Sequence, residues 1–123
     1  MEKSLMGKNE EVEMFFRDNE SEWEFAAEGI TRKFIGYSPE LMLVKVKFEK
    51  DAIGALHDHF HTQGSYVASG KFKITIKGED KILKAGDAFF VLPNTEHGAV
   101  CLEAGVLIDV FNPIREDFLE TEN

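Results

Sequence analysis

The stretch that decides the fold is His57-Asp58-His59-Phe60-His61-Thr62-Gln63, which holds three of the chain's four histidines. Residues two apart on an extended strand point to the same face, so the three histidines and Gln63 share one face if the segment is extended throughout. Imidazole nitrogens and an amide oxygen that converge in this way form a site for a divalent metal ion. His97, after a Pro-Asn turn, can join them from a neighbouring strand. The alternative is an exposed histidine-rich strand that binds nothing.

Short strand signals surround this stretch. Leu41–Phe48 alternates apolar residues with Lys45 and Lys47 at period two. A first strand is indicated near Trp23, where apolar residues alternate with glutamates. The other predicted strands are Gly29–Tyr37, Gly64–Ala68, Lys71–Ile76, Lys81–Leu83, Ala88–Leu92, His97–Leu102 and Val106–Phe111. The breaks between them are rich in glycine, asparagine and proline, which is typical of tight turns. Many short strands with almost no helix predict one all-β domain, a sandwich or barrel, over residues 21–119.

The two ends of the chain are predicted to lie outside the barrel. In the N-terminal segment, residues 1–20, Glu10–Asn19 can form a short helix; a surface or dimer-edge segment is the alternative. Arg115–Leu119 can form a helical turn after Pro113, and residues 120–123 are a tail. Exposed strand edges and a spare N-terminal segment lead us to expect a homodimer.

Composition narrows the possible partners. The formal net charge of −9 over 123 residues disfavours nucleic acid and anionic membranes as partners. No apolar run is long enough to span a bilayer, and residues 1–11 lack the apolar core of a secretory signal, so we expect a cytoplasmic protein. The single cysteine, Cys101, lies in an apolar run, and we expect it to be a buried small hydrophobe.

A second group of candidate residues lies near the C-terminus, in Asp109-Val110-Phe111-Asn112-Pro113-Ile114-Arg115. Asp109 and Phe111 are two apart on a predicted strand and share a face, whereas Val110 faces the opposite layer. An aspartate on the inner face of a barrel is costly unless it has a partner or a function. The alternative places Asp109 in solvent and pairs Arg115 at the surface with Glu116 or Asp117.

Two motifs resemble those of the cupin family. The pattern His57-x-His59-(x3)-Gln63-(x6)-Gly70 resembles the first cupin motif, and Gly86-(x5)-Leu92-Pro93-Asn94-Thr95-Glu96-His97 resembles the second. The resemblance covers about residues 40–115 and implies a cupin double-stranded β-helix, the jelly-roll barrel. Asp51 and Asn94 stand where these motifs usually have glycine; asparagine tolerates left-handed backbone angles, so the turn at Asn94 can still form. Gln63 replaces the usual glutamate ligand, which favours Lewis-acid chemistry over oxygen activation.

Together the motifs resemble the KdgF-type cupins of pectin and alginate breakdown, which linearise 4,5-unsaturated monouronates. The resemblance implies one divalent metal ion (Zn, Ni, Mn or Fe) held by His57, His59, Gln63 and His97. It also implies catalytic roles for Asp109 as proton donor or acceptor, Phe111 as an apolar wall and Arg115 as the clamp for a small anionic sugar or carboxylate. His61 either orients a ligand, contacts the substrate or fills the core. The alternatives are a non-catalytic small-acid or sugar-binding cupin, a metal-dependent dioxygenase or sugar isomerase, and a metal-free structural cupin.

Overall fold

Eight antiparallel strands form the protein, as seen in a computed structural model that describes residues 12–119. The strands are β1 (Glu24–Ala27), β2 (Ile30–Ser38), β3 (Leu41–Phe48), β4 (Ile53–His57), β5 (Thr62–Ile76), β6 (Glu79–Lys84), β7 (Ala88–Val91) and β8 (His97–Asn112), and a four-residue helix α1 (Glu116–Leu119) follows them. The hydrogen-bonded order is β1-β2-β3-β8-β5-β6, while β4 pairs with β8 and β7 with β5. The predicted all-β barrel is therefore confirmed, and so is the helical turn near the C-terminus. Within residues 12–119 no helix is both long and apolar enough to cross a membrane.

Two predicted breaks between strands are wrong. Ser69-Gly70 does not end a strand but lies within β5, and Glu103-Ala104-Gly105 lies within β8. The two long strands pair along almost their whole length, with shifts of register near Gly70. A Cβ at Gly105 would overlap the carbonyl oxygen of Ser69, and one at Gly70 would lie 2.6 Å from the Gly105 Cα. The glycines therefore permit close approach of two bent strands rather than a turn between strands.

The core lies between the two layers of the barrel. Its larger cluster includes Phe48, Phe72 and Cys101, and the rings of Phe48 and Phe72 meet edge to face at 5.1 Å between centroids. A second cluster around Met42 and Phe111 lies nearer the C-terminal helix. Cys101 is fully buried, as expected, and burial raises the pKa of its thiol. These clusters fix which residues of β5 and β8 face inward.

The predicted N-terminal helix is wrong for the residues described. Glu10 and Glu11 lie outside that range, residues 12–17 are not helical, and only a short 3₁₀ turn forms at Asp18–Glu20. Phe15 is 89% exposed, so no apolar surface is available to hold a helix there. The segment is instead attached by Asp18, whose carboxylate accepts hydrogen bonds from Lys33 and Lys45 at 3.3 and 2.8 Å.

Candidate metal centre

Three histidines meet where β4 ends and β8 begins. His57 and His97 are paired across these strands, and their ring centroids are 4.4 Å apart. The ring of His59, from the connection between β4 and β5, lies 4.8 Å from that of His97. One nitrogen from each ring lies within 4.8 Å of the others, an arrangement that can hold a metal ion. His97 is buried and His57 exposed, so the cluster is open to solvent on the His57 side.

Backbone carbonyls fix the tautomer of all three rings. The Nδ1 atoms of His57 and His97 lie 2.8 Å from the carbonyl oxygens of Ala55 and Thr95, two residues earlier in each case. The Nδ1 of His59 lies 3.1 Å from the carbonyl oxygen of His61. A carbonyl only accepts hydrogen bonds, so each Nδ1 carries the proton and each Nε2 keeps a lone pair. The Nε2 of His97 is buried without a partner in residues 12–119, and the metal-ligand role supplies one.

Gln63 presents its oxygen to the same cluster. Its Oε1 atom lies 2.9 Å from the Nε2 of His59, while its amide nitrogen donates to the Oγ of Ser65 at 2.9 Å. Since His59 Nε2 carries a lone pair in this tautomer, two acceptors face each other. Either a second proton on the ring or a cation between the ligands must relieve that contact. The donor set of three imidazoles and an amide oxygen therefore fits a divalent ion.

The second predicted motif places its turn against the first. Asn94 has a φ of 61°, in the left-handed region, and its N–H donates to the carbonyl oxygen of His59 at 2.6 Å. Asp51, the other residue at a usual glycine position, has a φ of 74°. Both turns therefore keep the conformation that glycine would adopt.

His61 does not join the histidine cluster. The condition for a shared face, an extended segment throughout His57–Gln63, is not met, because residues 58–61 form an irregular connection between β4 and β5. The His61 ring is 5% exposed and stacks on Phe60 at 4.0 Å between centroids. Burial lowers its pKa, and the positive charge of Arg115 lowers it further. Its carbonyl oxygen, rather than its ring, is what orients His59.

Asp109 faces the interior, beside the residues that hold Gln63. Ser65 and Asp109 are opposite each other on β5 and β8, and the Ser65 hydroxyl donates to Asp109 Oδ1 at 2.6 Å. Burial raises the pKa of Asp109 to about 6, although the Ser65 hydrogen bond and the charge of Arg115 oppose the rise. Hydrogen bonds thus link Asp109 through Ser65 to Gln63. Sequence reasoning missed Ser65, whose only signal was its position two residues after Gln63.

Phe111 and Arg115 lie on the same side of the barrel. The Phe111 ring is 2% exposed and lies edge-on to His59 at 5.8 Å between centroids. The Arg115 side chain binds Asp117 through Nε and Nη2, at 3.0 and 2.8 Å. The alternative interpretation, an ion pair of Arg115 at the surface, is right about the partner Asp117. It is wrong about the surface position, because Arg115 is 9% exposed and therefore buried. Its charge holds the pKa of Asp117 below the usual value.

One cavity of about 230 Å³ connects the two groups of residues. Its walls carry His57, Gln63 and His97 from the metal centre and Asp109, Phe111 and Arg115 from the C-terminal group. Two more lining residues, Arg32 and Phe118, were missed by sequence reasoning. Arg32 alternates with Ile30 and Phe34 on β2, so an inward-facing charge was the signal available. The cavity therefore presents cation ligands, an acid and two arginines to one ligand-sized space.

Comparison with known proteins shows the family of this chain. The family model of the cupin domain matches residues 44–111. The pectin degradation protein KdgF of Dickeya dadantii (strain 3937) is 51% identical over 107 residues, 85% of this chain and 97% of that protein.

Two solved structures are similar, each with a TM-score of 0.84. One is an RmlC-like cupin from Shewanella frigidimarina NCIMB 400, 47% identical over 86% of this chain and 96% of that one. The other is KdgF from Halomonas sp., 42% identical over 86% of this chain and 98% of that one. A β-barrel with histidines from both motifs at its mouth defines the class as a cupin. Within that class, the chain belongs to the KdgF family.

Proposed function

We propose that this protein is a metal-dependent enzyme that linearises 4,5-unsaturated monouronates during the breakdown of pectin or alginate. The observation that carries the proposal is Asp109, a carboxyl group with a pKa near 6 that shares a cavity with the candidate metal ligands and Arg115. Such a pKa suits a group that both accepts and donates protons near neutral pH. The description of the Dickeya dadantii relative as a pectin degradation protein supports the substrate class.

His57, His59, Gln63 and His97 are the residues that would hold one divalent cation. All four ligands are neutral, so a bound cation would keep its full charge and supply Lewis-acid polarisation of a substrate oxygen. Four protein ligands leave one or two positions for that oxygen. The exposed side of His57 offers the route of entry.

The proposed reaction is an isomerisation, so no water or redox partner is required. Asp109 accepts the proton of the anomeric hydroxyl while the bond between C1 and the ring oxygen breaks, which leaves an aldehyde at C1 and an enolate at C5. The protonated Asp109 then donates this proton to C4, so the enolate becomes a ketone and the carboxylate is regenerated. Asp109, whose pKa is raised by burial to about 6, is the group that can accept and return this proton. Ser65 holds its Oδ1 atom in place.

Arg115 and Phe111 bind the substrate in this proposal. Arg115 is held by Asp117 through one edge of its guanidinium, and its remaining N–H groups can donate to the substrate carboxylate. The guanidinium carbon lies 5.0 Å from the centre of the Phe111 ring. Phe111 thus supports the arginine and offers an apolar wall to the sugar.

The competing functions make different use of the same cavity. A non-catalytic binding cupin needs the arginines but has no need of a buried acid, whose ionisation costs free energy. An oxygenase is disfavoured by the neutral Gln63, which gives less support to a higher oxidation state than a carboxylate does. The raised pKa of Asp109 therefore supports an enzyme that transfers protons.

The test follows ultraviolet absorbance of unsaturated galacturonate, which is lost with the C4=C5 double bond. We expect the metal-loaded protein to accelerate the loss above a protein-free blank, and chelation or D109N to abolish the acceleration. Binding of the substrate by D109N, measured by calorimetry, separates loss of chemistry from loss of binding. If metal-loaded protein leaves the rate equal to the blank, the proposed enzyme function is wrong.

We further propose a homodimer that forms through the outer face of β5, β7 and β8. Tyr66 and Phe90 are 50% and 62% exposed there, and Val110 lines the same groove. Apolar side chains grouped on one sheet face favour association. Light scattering of the purified protein tests the proposed dimer, and a monomeric mass would contradict it.

A further inference from the structure

Arg32 is a buried cation on the cavity wall that has no role in the reaction proposed above. It lies in β2, opposite Val46 of β3, and its side chain is 11% exposed. It lines the same cavity as His97, Asp109 and Arg115. Burial of a charged side chain is unfavourable unless partners compensate for the lost hydration. The position of Arg32 therefore requires either strong pairing within the protein or a ligand.

Pairing within the protein engages only one part of the Arg32 guanidinium. Its Nε donates to Glu24 at 3.0 Å, and Glu24 itself is 47% exposed to solvent. Neither Nη atom of Arg32 makes a hydrogen bond to a side chain or carbonyl in residues 12–119. By contrast, Arg115 commits both Nε and Nη2 to Asp117. Arg32 therefore keeps the terminal edge that binds a carboxylate through two parallel hydrogen bonds.

One aromatic ring contacts both Arg32 and Arg115. The guanidinium carbons of Arg32 and Arg115 lie over the Phe118 ring, at 4.2 and 4.0 Å from its centroid. Phe34 adds a second ring 5.4 Å from Arg32. Stacking of this kind restrains a guanidinium without using its N–H groups. Both guanidinium groups are thus held against one ring with donors still available.

The charges around the cavity favour an anion. Arg32 and Arg115 bring two positive charges, and neutral ligands leave a bound divalent cation unneutralised. Asp109 is the one carboxylate among the lining residues, since Glu24 and Asp117 meet the arginines from the solvent side. This local excess of positive charge contrasts with the net charge of −9 of the whole chain.

We propose that Arg32 binds the substrate carboxylate together with Arg115, as a two-arginine clamp that selects sugar acids over neutral sugars. This inference rests on the proposed function for the identity of the substrate. It concerns recognition rather than proton transfer, so its effect belongs in KM and in binding constants. Arg32 is in this sense a specificity-determining residue.

The experiment compares wild type, R32Q, R32K and the control variant K47Q, all loaded with metal. Lys47 lies on the outer face of β3, so K47Q removes the same charge without touching the cavity. We expect R32Q to raise KM for unsaturated galacturonate about 10- to 100-fold, because loss of hydrogen bonds to a charged group usually weakens binding by that factor. We expect kcat to change less than about threefold. R32K, which keeps the charge but not the planar fork, is expected to give an intermediate KM.

A binding measurement keeps this inference separate from the enzyme proposal. By calorimetry, wild type should bind D-galacturonate more tightly than D-galactose, and R32Q should lose that preference while metal content stays unchanged. Turnover by wild type with an unchanged KM in R32Q overturns the role of Arg32 and leaves the enzyme proposal intact. If binding depends on Arg32 but the wild type shows no turnover, the role of Arg32 stands and the enzyme proposal is wrong. If R32Q does not fold, by circular dichroism, a wild-type KM in R32K overturns the clamp.

Discussion

Replacing Asp109 by asparagine should stabilise the metal-free protein while it removes the proposed catalytic acid. Burial raises the pKa of Asp109 from 3.8 to about 6, so ionisation in the folded state is disfavoured. A shift of that size corresponds to about 3 kcal/mol. D109N avoids this cost, and its amide oxygen can still accept the Ser65 hydrogen bond. Water in the cavity screens part of the effect, so about 3 kcal/mol is the upper value at pH 8.

The pH dependence fixes the sign of this effect. Between about pH 4 and 6 the folded state retains a proton on Asp109 that the unfolded state has released, so wild-type stability falls as pH rises through that window. Below pH 4 both states are protonated and the two proteins should differ little. The advantage of D109N should therefore appear between pH 4 and 6 and remain constant above it.

Urea unfolding of wild type and D109N in the presence of chelator, at several pH values, measures this difference. D117N is a matched control with the opposite sign, because Arg115 lowers the pKa of Asp117. That pairing stabilises the folded state above about pH 4, so D117N should be less stable than wild type there. If D109N is no more stable than wild type at pH 8, or if its advantage persists unchanged at pH 4, the burial of a costly carboxyl group is refuted.

Three further predictions concern the metal centre and the bend of the barrel. S65A removes the group that fixes Gln63, so metal affinity should fall about 10- to 100-fold in a chelator competition, and unchanged affinity would contradict the link. A divalent ion at 100 times its Kd should stabilise wild type by about 2.7 kcal/mol in a thermal melt, and H97A should lose this gain; an equal gain in H97A would exclude His97 as a ligand. G105A places a methyl group against the Ser69 carbonyl and should lower the free energy of unfolding in urea by about 3 kcal/mol. The control G64A, whose Cβ would lie 3.6 Å from Phe90, should lower it much less, and equal losses of stability would argue against the close approach of the two strands.

The features that sequence could predict are those fixed by local pattern. The period-two alternation of Leu41–Phe48 gave β3 with its correct bounds. The two histidine motifs predicted a cluster of His57, His59 and His97, because each motif places its ligands next to a turn. The asparagine at position 94 predicted a left-handed turn, which the φ of 61° bears out.

The features that sequence could not predict depend on which strands become neighbours. Ser65 matters because register places it opposite Asp109, and Arg32 reaches the cavity because β2 joins β8 through β3. The breaks assigned at Gly70 and Gly105 were wrong for the same reason. A glycine that relieves contact between two strands has the same local signal as one that forms a turn.

Some hydrogen bonds of the metal centre are local in sequence, whereas others depend on which strands are neighbours. The tautomers of His57 and His97 depend on carbonyls two residues away, so they follow from local backbone conformation. The orientation of Gln63 depends instead on Ser65, whose single hydroxyl proton is donated to Asp109. While Asp109 is ionised it requires that proton, and the Ser65 oxygen is then left to accept from the Gln63 amide. Once Asp109 is protonated it can donate to Ser65 in its turn, and the constraint on Gln63 is relaxed. Proton transfer at Asp109 and ligand geometry at Gln63 are therefore coupled through one hydroxyl group, whereas the histidines are not. Loss of Ser65 should therefore change both the pH profile of turnover and the metal affinity. If S65A changes only one of these two properties, the proposed coupling is wrong.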